Sequence, residues 1–271
     1  MSVATLRLAC RACRWRYILL AGLLAATVAF LPEHPYLSGR DVLQPPGTEH
    51  WLGTNGLGQD VLTGLVAATP STILICLFAS FLMQGTALIF ALLAVTCGRG
   101  WSTVILRIVD ILQAVPQILV LLLLAAWFWP DVTGLVAILA LTGWHDDVRV
   151  LRSLILREMR RENVRYARVM GAGWAYCSIH HTIPALWPSV TGLYVQNLRH
   201  AALRTAGLGL LGLADPRLLT WGGMMKDALP HLYMEAWLWL LLPPAFCLSL
   251  FLLGVLALGR LLDKSAPGRV G

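Results

Sequence analysis

Glu162-Asn-Val-Arg-Tyr-Ala-Arg-Val-Met-Gly171 is a polar, arginine-rich stretch set between strongly apolar segments and followed by Ile183-Pro184. Helical spacing puts Val164, Ala167 and Met170 near one edge, with Arg165 and Arg168 beside them. Gly171 stands where a helix C-cap wants a residue free to take positive φ, and Ala172 and Gly173 keep the turn small. The spacing predicts a short amphipathic helix with a glycine stop, after which Ile183-Pro184 restarts an apolar run. Such a knob suits docking into a groove on another protein. Spacing alone fits a plain connecting loop equally well.

Outward from this stretch the chain is apolar. It is 58% hydrophobic and only 13% charged, with a mean hydropathy of +0.70, far from the mix of a soluble domain. A bilayer span needs ~20 apolar residues. The candidates are 15–31, 71–98, 104–129, 132–144, 183–198 and 236–262. The fourth is too short as an apolar run. It works only if its helix continues past Trp144, with Arg149 and Arg152 reaching the interface. The expectation is an all-α membrane protein with six transmembrane helices.

The basic residues orient these spans. With the N-terminus inside, sixteen of the 21 Lys and Arg residues fall on the inner side, seven of them between Arg149 and Arg168. Outside lie Arg40, Arg217 and Lys226, and Arg199 and Arg204 fall in or near the fifth span. That asymmetry places both termini inside. It also accounts for the net charge of +7 without a nucleic-acid partner. The basic surface of 145–182 suits contact with anionic membrane lipid or an acidic groove.

Residues 1–14 read as an inner tail and 15–31 as a retained signal-anchor helix, because cleavage would leave five spans and invert the basic segment. Residues 32–69 form an outer segment with turn signals at Pro45-Pro46-Gly47 and Asn55-Gly56, ending in a short interfacial helix over 59–68. Residues 70–262 make one membrane core containing the inner loop 145–182, and 263–271 are an inner tail. A second outer segment covers 215–235, and no internal repeat interrupts this plan.

Glu162, Ala167, Gly171 and Ile183-Pro184, in that order, resemble the "EAA" loop of bacterial ABC-importer permeases, where it docks on the ATPase subunit. Three further segments resemble the oligopeptide/dipeptide/nickel branch: His50–Asp60, Arg107–Pro116, and Gly209–Ala214 with Trp221-Gly222 beyond it. The resemblance covers roughly 48–262 in family order. It implies the type I importer permease fold, a second homologous permease subunit, two cytoplasmic ATPase subunits and a periplasmic or extracellular solute-binding protein. Glu162, Val164, Ala167, Met170, Gly171, Ile183 and Pro184 would form the coupling loop. Localisation would be the bacterial inner membrane.

The chain carries no G-x-x-x-x-G-K-[ST], H-E-x-x-H or G-x-S-x-G, so it is read as a transport subunit without catalytic residues or cofactor. Cys10 and Cys13 form a lone C-x-x-C, half of a zinc or redox site at most. Cys76, Cys97 and Cys247 fall in spans as small hydrophobes, and no disulfide framework is expected.

Charges within spans point to the transport path. Arg199, His200 and Arg204, with Thr205, lie toward the outer end of the fifth span, either lining a path for carboxylate-bearing cargo or snorkelling at the outer interface. His145-Asp146-Asp147 reads as pairing with Arg149 and Arg152 near the inner face, and Asp110 as an i,i+3 partner of Arg107. No metal site is assigned, at His180-His181 or elsewhere. Three positions depart from the family. Asn55 and Gln59 replace its usual Asp and Arg, a lost or replaced ion pair, and Thr205 replaces the acidic residue of peptide-type members. Thr205-Ala206-Gly207 looks closer to nickel-type members. The expected cargo is therefore nickel or another transition metal, carried as a small chelate; short peptides are the alternative. A gradient-driven secondary transporter is the reading from another class, with a membrane scaffold the blandest, but both leave the docking loop idle.

Overall fold

Asp60 opens the first helix of the computed structural model, which describes residues 41–265. Its Oδ1 accepts the Thr63 amide at 2.8 Å, filling one of the donors that a helix start leaves unpaired. Helix α1 (Val61–Thr96) then runs for 36 residues. The expected interfacial helix and second span are thus one rod, ~54 Å long, which exceeds the ~30 Å hydrocarbon layer. Pro70 lies inside it. Around the missing N–H, the hydroxyls of Thr69 and Thr72 donate back to the carbonyls of Leu65 and Ala68, at 2.7 and 2.8 Å.

The expected third span is broken. Helices α2 (Gly98–Ala114) and α3 (Gln117–Phe128) meet at a 79° bend. Val115, at φ −85° and ψ 129°, is extended because Pro116 follows it, and a pre-proline residue is pushed out of the helical region. The fourth span has the continuation it needed. Helix α4 (Val132–Gly143), capped by Asp131 through the Gly134 amide at 2.7 Å, passes through Trp144 in right-handed conformation into α5 (His145–Met159).

Helix α6 (Glu162–Val169), a single turn α7 (Trp174–Cys177) and a π-helical turn (Ser178–Thr182) lead into α8 (Ile183–Leu210). Pro184 sits at the second position of α8, directly after the π-helical turn. Helix α8 runs well past the expected end at 198, so Arg199, His200, Arg204 and Thr205 are all helical. A short α9 (Trp221–Ala228) and a 3₁₀ turn (Leu229–His231) precede α10 (Trp237–Ser265). Among the described residues there is no strand, only an isolated bridge between Thr54 and Asp60. Two helices there, Val61–Thr96 and Trp237–Arg260, are each long and apolar enough to cross a membrane, and the bent α2–α3 pair qualifies as a third. The 15–31 segment, the 1–14 tail, Cys10 and Cys13 lie outside the described residues.

The described residues fall into two compact units. The first comprises 41–74 and 205–251. Its outer loop winds around Thr54, whose hydroxyl donates to the Asp41 carbonyl at 2.6 Å while Trp239 donates to the Thr54 carbonyl at 3.2 Å. Asn55 and Gln59 form a neutral pair: Asn55 Nδ2 donates to Gln59 Oε1 at 2.8 Å, and the Gln59 amide donates to Asn55 Oδ1 at 2.9 Å. The family's ion pair is replaced, not lost. In the 211–236 segment, Ser71 Oγ reaches the Leu219 carbonyl at 2.5 Å and the Trp221 amide reaches Thr72 at 3.2 Å, so this segment is tied to the first turns of α1. Gly222 packs directly on backbone: a Cβ there would lie 2.5 Å from the Ala206 carbonyl oxygen.

The second unit comprises 75–204 and 252–265 among the described residues. Its core joins Ala87, Ala91 and Ala94 of α1, Ile105 and Val109 of α2, Val148, Leu151 and Ile155 of α5, and Leu186 of α8. The alanines repeat at helical spacing and let neighbouring backbones approach closely.

Candidate functional site

The arginine-rich stretch folds as the sequence predicts. Glu162 occupies the first turn of α6, where a carboxylate favours the positive helix end. At the other end the Ala172 amide donates to the Ala167 carbonyl at 3.0 Å and the Gly171 amide to the Arg168 carbonyl at 3.1 Å. This is the Schellman pattern, with Gly171 at φ +90°. Nothing lies within 4 Å of where a Gly171 Cβ would stand, so the glycine is required by conformation alone.

Val164, Ala167 and Met170 do not share one environment. Val164 is 1% exposed and anchors α6 to its own chain, whereas Met170 is 89% exposed. Met170 joins Tyr166 and Val169, also exposed, in an outward apolar set at i, i+3 and i+4. The helix therefore has an anchoring edge and a separate free face. Just ahead of it the buried Glu158 holds Arg161 Nε at 2.9 Å, fixing the entry into α6. Ile183 is half-buried and Pro184 exposed at the start of α8. His180 stacks on Tyr176 with ring centroids 4.3 Å apart.

The charged residues of these helices pair differently from expectation. Asp110 binds Arg149, from α5, in place of Arg107 on its own helix. Asp146 lies 3.5 Å from Arg204 Nη2 and 3.3 Å from His145 Nδ1, and Asp147 accepts from Asn197 at 2.6 Å. Asp146 and Asp147 thus turn across to α8, away from Arg149 and Arg152 along their own helix. Asn197 also donates to Gln84 Oε1 at 3.0 Å. Arg204 donates to Gln117 Oε1 at 2.6 Å, and Gln117 in turn donates to the Thr142 carbonyl. Buried Gln84 Nε2 and Thr205 Oγ1 have no hydrogen-bond partner in the structure.

Of the four residues read as path lining, two remain open. Arg199 is exposed and His200 half-buried. Arg199 borders a hollow of about 180 Å³ together with Gln196, Val255, Gly259 and Arg260. Arg204 is held by protein partners, its side chain only 15% exposed, and Thr205 is buried. Arg204 and Asp146, expected toward the outer and inner ends of their spans, approach within 3.5 Å of one another. The glutamines of this cluster went unremarked in the sequence. For Gln117 the available signal was a polar residue next to Pro116 inside an apolar run.

A family model, "Binding-protein-dependent transport system inner membrane component", matches residues 85–266, most of the structure including α6. The chain belongs to this family. It is an ABC-importer permease of the oligopeptide/nickel branch. A putative peptide permease protein of Brucella suis is 27% identical over 92% of this chain and 84% of its own length. The oligopeptide transport system permease protein OppC of Bacillus subtilis is 29% identical over 77% of this chain and 68% of its own. The nickel transport system permease protein NikC of Escherichia coli is 28% identical over 71% and 70%. In fold, the permease resembles a chain of the inward-facing MetNI methionine ABC transporter, with TM-score 0.62 at 14% identity, covering 76% of this chain and 96% of that one. An amino acid ABC transporter solved with histidines gives TM-score 0.57 at 17% identity over 76% and 94%. The permease is a membrane transport subunit, not an ATPase, and its family works with ATPase subunits and a binding protein.

Proposed function

We propose that this permease receives its driving force through α6, docked by Tyr166, Val169 and Met170 into a groove of a cytoplasmic ATPase. The observation that carries the reading is a helix anchored by Val164, stopped by Gly171 at φ +90°, and presenting a free apolar face. Helix-in-groove recognition uses this i, i+3, i+4 set of anchors. Two ATPases, a second homologous permease and an external binding protein complete the assembly in the bacterial inner membrane, with both termini of this chain cytoplasmic. Closure of the ATPase dimer on ATP pulls the docking helices and swings the permease pair from inward-open to outward-open.

The cargo we propose is a transition metal, nickel among them, carried as a small chelate. Arg199 and Arg260 at one hollow suit the carboxylates of an organic ligand and would repel a bare divalent cation. Short peptides also bear carboxylates, and peptide permeases are as prominent among the relatives as nickel permeases. That observation keeps the peptide reading as the alternative. Isolating the binding protein and analysing its content by native mass spectrometry and elemental analysis decides between them. A metal–ligand complex is expected, and a peptide without metal would overturn the chelate.

A further inference from the structure

Gln113 and Gln117 flank the Val115-Pro116 break and reach the same place. Gln113 Nε2 donates to the His145 carbonyl at 3.4 Å, and Gln117 Nε2 donates to the Thr142 carbonyl. These carbonyls bracket Trp144, where α4 passes into α5. The break at Pro116 therefore faces the α4–α5 junction, bridged by two amides. In an apolar surrounding, backbone groups at such interruptions are costly unless paired. Gln117 Oε1 also accepts from Arg204 of α8 at 2.6 Å, and the same guanidinium nitrogen lies 3.5 Å from Asp146 Oδ2. Gly143 makes the approach possible, since a Cβ there would stand 3.0 Å from Arg204 Nη1 and 2.8 Å from the Met83 side chain.

From this junction α5 runs to Met159, just ahead of the docking helix. Val148, Leu151 and Ile155 along it are fully buried, so the rod is packed in the core. At its far end Glu158 grips Arg161. A packed helix with a docking element at one end and a bent helix at the other is a physical route for displacement.

We propose that Gln113, Gln117, Asp146 and Arg204 form a joint that transmits movement of α6, through α5, to the bend at Pro116. They act as positioning residues for transport, touching neither ATP nor cargo. The proposal rests on the docking reading above. Gln113 and Gln117 grip through neutral amide–carbonyl bonds, which are weak enough in a membrane to exchange between two arrangements.

The test uses the complete importer, purified with its partners on a background without native cysteines. A cysteine at the exposed Ile118, next to the joint, reports the bend by its rate of maleimide labelling. Trapping with ATP and vanadate should change that rate about tenfold with the joint intact, and Gln117→Leu should abolish the change while the amount of trapped nucleotide stays the same. Asp146→Arg and Arg204→Asp should each reduce the change, and the two together should restore it, which a loss of packing alone would not. The charge swap carries the test if Gln117→Leu does not assemble. A change that persists in Gln117→Leu, a swap no better than its single variants, or no change with the joint intact would overturn the joint while leaving the docking reading standing. Absence of trapped nucleotide would overturn the docking reading, and the joint with it.

Discussion

Gly171 carries a conformational requirement that no neighbour imposes. Its φ of +90° strains any L side chain, yet open space surrounds the position. Gly171→Ala should cost about 1–2 kcal/mol of local helix-stop stability, and Gly171→Val more. Neither should clash, so the protein should remain in the membrane while uptake falls, measured as transport per unit of inserted protein. Gly222 is the opposite case. Its Cβ would press on the Ala206 backbone, which cannot give, so Gly222→Ala should lower stability by about 1–3 kcal/mol in thermal unfolding. Asp60 adds a pH dependence. Burial works against its charge, but the Thr63 amide and His50 outweigh burial and hold the carboxyl below its usual 3.8. The sign follows: its stabilisation is present above pH 3.8 and is lost as pH falls through the lower folded value. Asp60→Asn should cost about 1 kcal/mol near neutrality and nothing at the acid end, read from melts of both proteins across pH. The glycine stop at 171 was legible in the sequence because chain-local spacing dictates it. The Asn55–Gln59 pair was half legible: the missing charges were visible, but the amide exchange that replaces them depends on a loop fold no local pattern specifies.

At the scale of elements, hydropathy located the apolar runs but not their breaks and fusions. Pro116 ends a helix by pushing Val115 into extended conformation, whereas Pro70 is absorbed within α1 with threonine hydroxyls beside it. Both are prolines in apolar surroundings, and only tertiary context separates them. Asp110 shows the same limit. The i,i+3 rule offers Arg107, but Arg149 from another helix takes the carboxylate. Within α6 the period was right and the face was wrong, because Val164 was grouped with the exposed Met170 when it is the anchor. The free face predicts where docking energy resides. Tyr166→Ala and Met170→Ala should each weaken ATPase association about tenfold, measured by copurification across a dilution series, whereas the exposed Arg165→Ala should change it little.

For the whole molecule, the basic residues predict topology. Position 171 should be reached by an impermeant thiol reagent only from the cytoplasmic side, and positions 56 and 221 only from outside. Four ordered motifs made the family legible from the chain alone, since each is a local pattern. The polar contacts among Gln84, Gln117, Asp146, Asp147, Asn197 and Arg204 were not, because these residues come from distant parts of the sequence and meet only when the helices pack. The central claim is that the helix stopped at Gly171 is where ATPase force enters this permease. The most direct measurement places a photo-cross-linking residue at Met170 in the assembled importer and identifies the adduct by mass spectrometry. The account predicts cross-linking to a P-loop ATPase, with little adduct in Gly171→Val. An ATPase purified with the importer but never captured from position 170, or captured equally well in Gly171→Val, would contradict it.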